Sequence, residues 1–80
     1  MEFDCEVRVE LKHGVLDAEG ETVQKSLGLL GFKVEKVDTI KVYRIRIKAK
    51  DEKKAVETVT QACEKLLANP VIQDYQVKVV

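Results

Sequence analysis

The chain has 80 residues, and its 14 basic and 14 acidic side chains cancel to a formal net charge of zero. A domain built to hold phosphate backbones carries a basic excess, so this balance speaks against nucleic-acid binding. No apolar run approaches the ~18 residues that would span a bilayer, and Met1-Glu2-Phe3-Asp4 does not read as a signal peptide, so the expected location is cytoplasmic, away from membranes.

The length is that of one domain, spanning 1–80. Phe3, Cys5, Val7, Val9 and Leu11 alternate with charged residues, which predicts a strand with one buried face. His13-Gly14 ends it. Asp17 can cap a following helix, with Glu19 and Glu21 at its positive end. Val23, Leu27 and Leu30 form the apolar stripe of that helix, Gly28 weakens it and Gly31 stops it.

Phe32 and Val34 begin a second extended piece, after which the apolar phase slips. The slip reads as a hairpin turn at Lys36–Thr39, or as a bulge in one long strand through 33–49. Alternation returns at Tyr43, Ile45, Ile47 and Ala49. Asp51 can cap a second helix, whose stripe is Val56, Val59, Cys63 and Leu66, widened by Ala55, Ala62 and Leu67. Asn69-Pro70 ends it, and Tyr75, Val77 and Val79 make a last strand.

The order β-α-β-β-α-β predicts an α+β, ferredoxin-like fold: an antiparallel sheet with two helices on one face. In that arrangement the first strand and the Tyr43–Ala49 strand are central neighbours. Their outward faces are mainly acidic (Glu2, Asp4, Glu6, Glu10) and basic (Arg44, Arg46, Lys48), so opposite charges should meet across the ladder.

Groups for chemistry are scarce. His13 is the lone histidine, and Cys5 and Cys63 both fall on apolar stripes, which makes them packing residues rather than nucleophiles, metal ligands or a disulfide pair. The glycines at 14, 20, 28 and 31 fit no phosphate-binding loop. The outward strand positions that would stack bases in an RNA-binding version of this fold carry charges instead of aromatics.

Three strings say more: "ELKHGVLDAEGETV" (10–23), "LLGF" (29–32) and "LLANPVIQDYQVKV" (66–79). Together they resemble the PurS family, the small subunit of phosphoribosylformylglycinamidine (FGAM) synthase in purine biosynthesis. The resemblance covers the whole chain, with two departures. Ala18 stands where the family often has proline, and Asp38-Thr39-Ile40-Lys41 where it commonly has arginine-x-glycine-lysine. It implies a subunit without catalytic residues that joins a glutaminase subunit to a large ATP-dependent synthetase subunit and assists ammonia transfer. ATP and Mg are then used by the complex and no cofactor is bound by this chain.

Under that resemblance two corners are the candidate partner contacts: Lys12-His13-Gly14, and Asn69-Pro70-Val71-Ile72. In a ferredoxin-like sheet both lie at one end, where a single partner could touch both. Exposed sheet edges also predict pairing with a second copy, giving at least a homodimer. Two other readings share the element order: a regulatory module of the ACT type that binds small molecules, and a stand-alone enzyme of acylphosphatase shape.

Overall fold

The strict alternation of the N-terminal segment produces a ten-residue strand, β1 (Glu2–Leu11), in a computed structural model that describes residues 1–80. It is followed by α1 (Ala18–Leu29), β2 (Ile40–Lys48), α2 (Glu52–Ala62), a π-helical turn (Cys63–Leu67) and β3 (Gln73–Val79). The sheet order is β2-β1-β3, with both pairings antiparallel. The ferredoxin-like α+β layering stands, with three strands instead of four.

The missing strand is the Phe32–Val34 piece. Residues 30–39 carry no ladder, and β2 starts at Ile40, so 33–49 is neither a hairpin nor one bulged strand. The slip in apolar phase has a different cause. This segment returns along α1 and holds to it through polar contacts: the Gln24 side chain donates to the Glu35 carbonyl at 3.1 Å, and the Asp17 carboxylate accepts from the Thr39 amide at 2.6 Å. With that strand absent, β2 is an edge and β1 is the centre.

The charge match across β1 and β2 holds in register. Glu2 faces Lys48, Asp4 faces Arg46 and Glu6 faces Arg44. Arg46 donates through Nε to Asp4 at 2.9 Å and through Nη2 at 3.4 Å, and Arg44 reaches Glu6 at 3.4 Å. Solvent-screened pairs like these are individually weak, but three in succession favour one register over its slips.

The core is one-sided. Cys5, Val7 and Val9 of β1 pack against Ala55, Val59 and Cys63 of α2 and its π turn, with Ala68 closing the end. Asp51 caps α2 by accepting from the Lys54 amide at 2.8 Å, as its position predicts. The expected stripe fails at its last member. The π turn closes with the Ala68 amide donating to the Cys63 carbonyl, one residue wider than an α turn. Leu66 is thereby 83% exposed while Leu67 packs on the core.

α1 departs further from expectation. Its stripe does not reach the core: Val23 and Leu30 are exposed, Leu27 is half-buried, and Gly20 is the helix's one buried residue. The chain is accordingly long, with extents of 51 × 24 × 15 Å. Its radius of gyration is 16.0 Å, against about 12 Å for a compact chain of this length.

Candidate functional site

The end of β1 and the start of β3 are neighbours because Leu11 pairs with Gln73 in the ladder. One residue further, the Lys12 amide donates to the Ile72 carbonyl at 2.8 Å. The two predicted corners are therefore stitched together by main chain. Lys12 also forms an ion pair through Nζ with Asp74 at 3.1 Å. That ammonium matters locally, because the ladder places Glu10 directly opposite Asp74, two like charges that would otherwise repel.

Each corner is rigid for a reason visible in its residues. The Asn69 carbonyl accepts from the amides of Ile72 (3.1 Å) and Gln73 (2.8 Å). Its side-chain oxygen accepts from the Val71 amide at 3.0 Å, an Asx turn that wraps Pro70. The Gln73 side chain closes the loop by accepting from the Asn69 amide at 2.7 Å. In the other corner the Val15 amide donates to the Lys12 carbonyl, and Gly14 sits at φ +87°, a left-handed conformation that suits glycine.

Between these fixed turns the side chains face outward. Val71 is 81% exposed, Ile72 is at the exposed margin and His13 is open to solvent. Lys12 stands between two recesses. One, of about 550 Å³, has His13 and Gly14 on its wall and runs toward α1 and Lys36. The other, of about 420 Å³, is bounded by Pro70, Gln73 and Tyr75. The Tyr75 hydroxyl donates to Glu64 at 3.0 Å and fastens β3 to the π turn; that carboxylate raises the phenol's pKa above its ordinary value.

Gln73 and Asp74 are the members of this corner that sequence patterning passes over. The signal for them is the ladder register, which puts the residues after Leu11 beside those before Tyr75.

The arrangement offers surface more than chemistry. Burial raises the pKa of both thiols, Cys5 and Cys63, so they stay protonated in the core, and His13 lies outside that core. No three His, Cys, Asp or Glu side chains gather where they could hold a metal ion. No helix is long and apolar enough to cross a membrane.

The family model described as PurS, phosphoribosylformylglycinamidine (FGAM) synthase, matches residues 4–80. This chain belongs to the PurS family. It is similar to the FGAM synthase subunit PurS of Archaeoglobus fulgidus, 55% identical over 74 residues that cover 91% of this chain and 92% of the relative. It is also similar to the crystal structure of Methanocaldococcus jannaschii PurS, with a TM-score of 0.86 and 47% identity, covering 98% of this chain and 95% of the other. A chain of the Thermotoga maritima structure described as PurLQS matches with a TM-score of 0.90 and 33% identity, covering 100% and 99%. The PurS resemblance drawn from residues 10–23, 29–32 and 66–79 thus extends over nearly the whole chain.

Proposed function

We propose that this chain is a cytoplasmic adaptor of FGAM synthase that joins the glutaminase subunit to the large ATP-dependent synthetase subunit. ATP and Mg²⁺ act on the synthetase, and ammonia passes between the enzymes. Neutral ammonia is the nucleophile, and water would protonate it near neutral pH or dilute it, so a joint that excludes water preserves it. One observation carries the reading: the main-chain bond from Lys12 to Ile72 unites both corners into one preformed surface bearing Val71 and Ile72. A rigid apolar surface loses little entropy when a partner covers it.

The adaptor works as a homodimer. Its accessible surface is 6321 Å², about 1,400 Å² more than a compact monomer of this mass exposes. Standard interfaces bury ~800 Å² per partner and obligate homodimers roughly 1,000–2,500 Å², so the excess falls in the range that a permanently associated second copy covers. Two apolar surfaces within the chain lack a cover: the α1 stripe, and the β2 half of the core face (Tyr43, Ile45, Ile47), which is only partly buried. Reciprocal packing of these surfaces between two copies satisfies both.

The test is reconstitution of amidine formation from glutaminase and synthetase subunits. Adding this chain is expected to restore the glutamine-driven reaction and leave the ammonia-driven one unchanged. The double variant Val71→Asp, Ile72→Asp should cut the glutamine-driven rate at least tenfold, since losing even one apolar anchor of ~1.5–3 kcal/mol has that effect. Unchanged melting behaviour would show that the variant still folds. Full coupling by that variant would eliminate the corner as the docking surface.

A further inference from the structure

The α1 region stands off the sheet, yet its departure is anchored at one place. Asp17 precedes the helix, and its Oδ1 accepts from the Gly20 amide at 2.9 Å, the ordinary bond of an N-cap. Its Oδ2 is committed elsewhere. It accepts from the Thr39 amide, 22 residues away, in the last residue before β2. One carboxylate thus ties the start of the helix to the end of the segment that returns from it.

Two further contacts lie along the same seam. The Val37 carbonyl passes so close to Gly20 that a methyl group there would fall well inside van der Waals contact. One turn on, the Gln24 side chain donates to the Glu35 carbonyl. At the far end the Phe32 amide donates to the Leu27 carbonyl and Gly31 takes φ +94°, which turns the chain back. Residues 17–39 are therefore a closed arm, helix out and extended chain back, with its joint at Asp17, Gly20, Val37 and Thr39.

From this geometry we infer that Asp17 is a positioning residue: by holding Gly20 and Thr39 with its two oxygens, it fixes the angle at which the arm leaves the sheet. That angle presents Val23, Leu27 and Leu30 to a second copy of the chain. The inference rests on the homodimer reading above and adds a residue that sets its geometry.

Asp17→Asn separates this role from capping. Asparagine caps helices as well as aspartate does, but where aspartate has its second oxygen asparagine has an NH₂ donor, which cannot accept from the Thr39 amide while the oxygen serves Gly20. The measurements are hydrogen exchange at the Thr39 and Gly20 amides, small-angle scattering and sedimentation equilibrium of the full chain. In Asp17→Asn, exchange at Thr39 is expected to accelerate at least tenfold with Gly20 little changed, and the dissociation constant of the dimer to rise at least tenfold. Gly20→Ala, which pushes on the same joint through Val37, should weaken the dimer in the same way.

An unchanged dissociation constant and scattering profile in Asp17→Asn, despite faster exchange at Thr39, would overturn the inference. A wild-type chain that stays monomeric would instead overturn the homodimer reading. The monomer scattering profile then decides the role of Asp17: a shift from wild type supports it, and identity with wild type refutes it.

Discussion

The body of the molecule and its arm use the same kind of sequence signal and meet different fates. In the body, the apolar stripe of α2 finds β1 and is buried: Val59 is 1% exposed and Cys63 0%. In the arm, the weaker stripe Val23, Leu27, Leu30 stays away from the core, and Leu30 is 74% exposed. Periodicity states which face of a helix needs a cover. It does not state which chain supplies it. The lesson is that an amphipathic helix in a small protein can be a core element of the assembly without being a core element of the monomer.

The sharpest way to break that comparison is to place one charge on each stripe. Val59→Asp puts a carboxylate among Cys5, Val7 and Cys63 with no partner for it. An isolated buried charge of this kind costs upward of ~4 kcal/mol, comparable to the ~4–12 kcal/mol total expected at this length. The variant should lack a cooperative thermal transition by circular dichroism. A folded Val59→Asp chain would mean that the contact between α2 and the sheet is not what holds the body together.

Leu30→Asp is the counterpart in the arm. The side chain is already mostly in water, so the monomer should lose less than ~0.5 kcal/mol. Self-association should weaken at least tenfold in sedimentation equilibrium, because the second copy would now have to cover a charge. A dimer indifferent to Leu30→Asp would move the interface away from the stripe.

These contrasts also separate what the residues alone disclose from what they conceal. β1, the Asp17 and Asp51 caps, the stop at Asn69-Pro70 and the acid–base register of β1 with β2 were all legible, because each depends on neighbours in sequence or on strict alternation. The second strand was not. Phe32, Val34 and Val37 look like an extended apolar piece, but that segment is held by backbone and polar bonds to α1, which leave no trace in hydropathy. The inward turn of Leu67 in place of Leu66 was hidden for a similar reason: the extra residue of a π turn shifts helical phase without a composition signal. In the candidate site, glycine and proline marked the turns at Lys12–Gly14 and Asn69–Ile72 and the PurS resemblance made them candidate contacts, whereas Gln73 and Asp74 needed the register.

The smallest effect expected concerns the outer face of the body, where Asp4 meets Arg46. The guanidinium hydrogen bond, followed by the charges of Arg46 and Arg44, holds the Asp4 carboxyl below its ordinary value of 3.8. A carboxyl lowered in the folded state binds its proton more readily in the unfolded chain. Its contribution is therefore complete above the unfolded value near 3.8 and is lost as pH falls through the lower folded value. Asp4→Asn should lower the melting temperature slightly at pH 7, because the pair is screened by solvent, and meet the wild type near pH 2, so that its fall between pH 5 and pH 2 is flatter. Melts recorded across that range test the sign. An unaltered acid slope in Asp4→Asn would assign the acid sensitivity of the fold to other carboxylates. The charge match across β1 and β2 would then serve register alone.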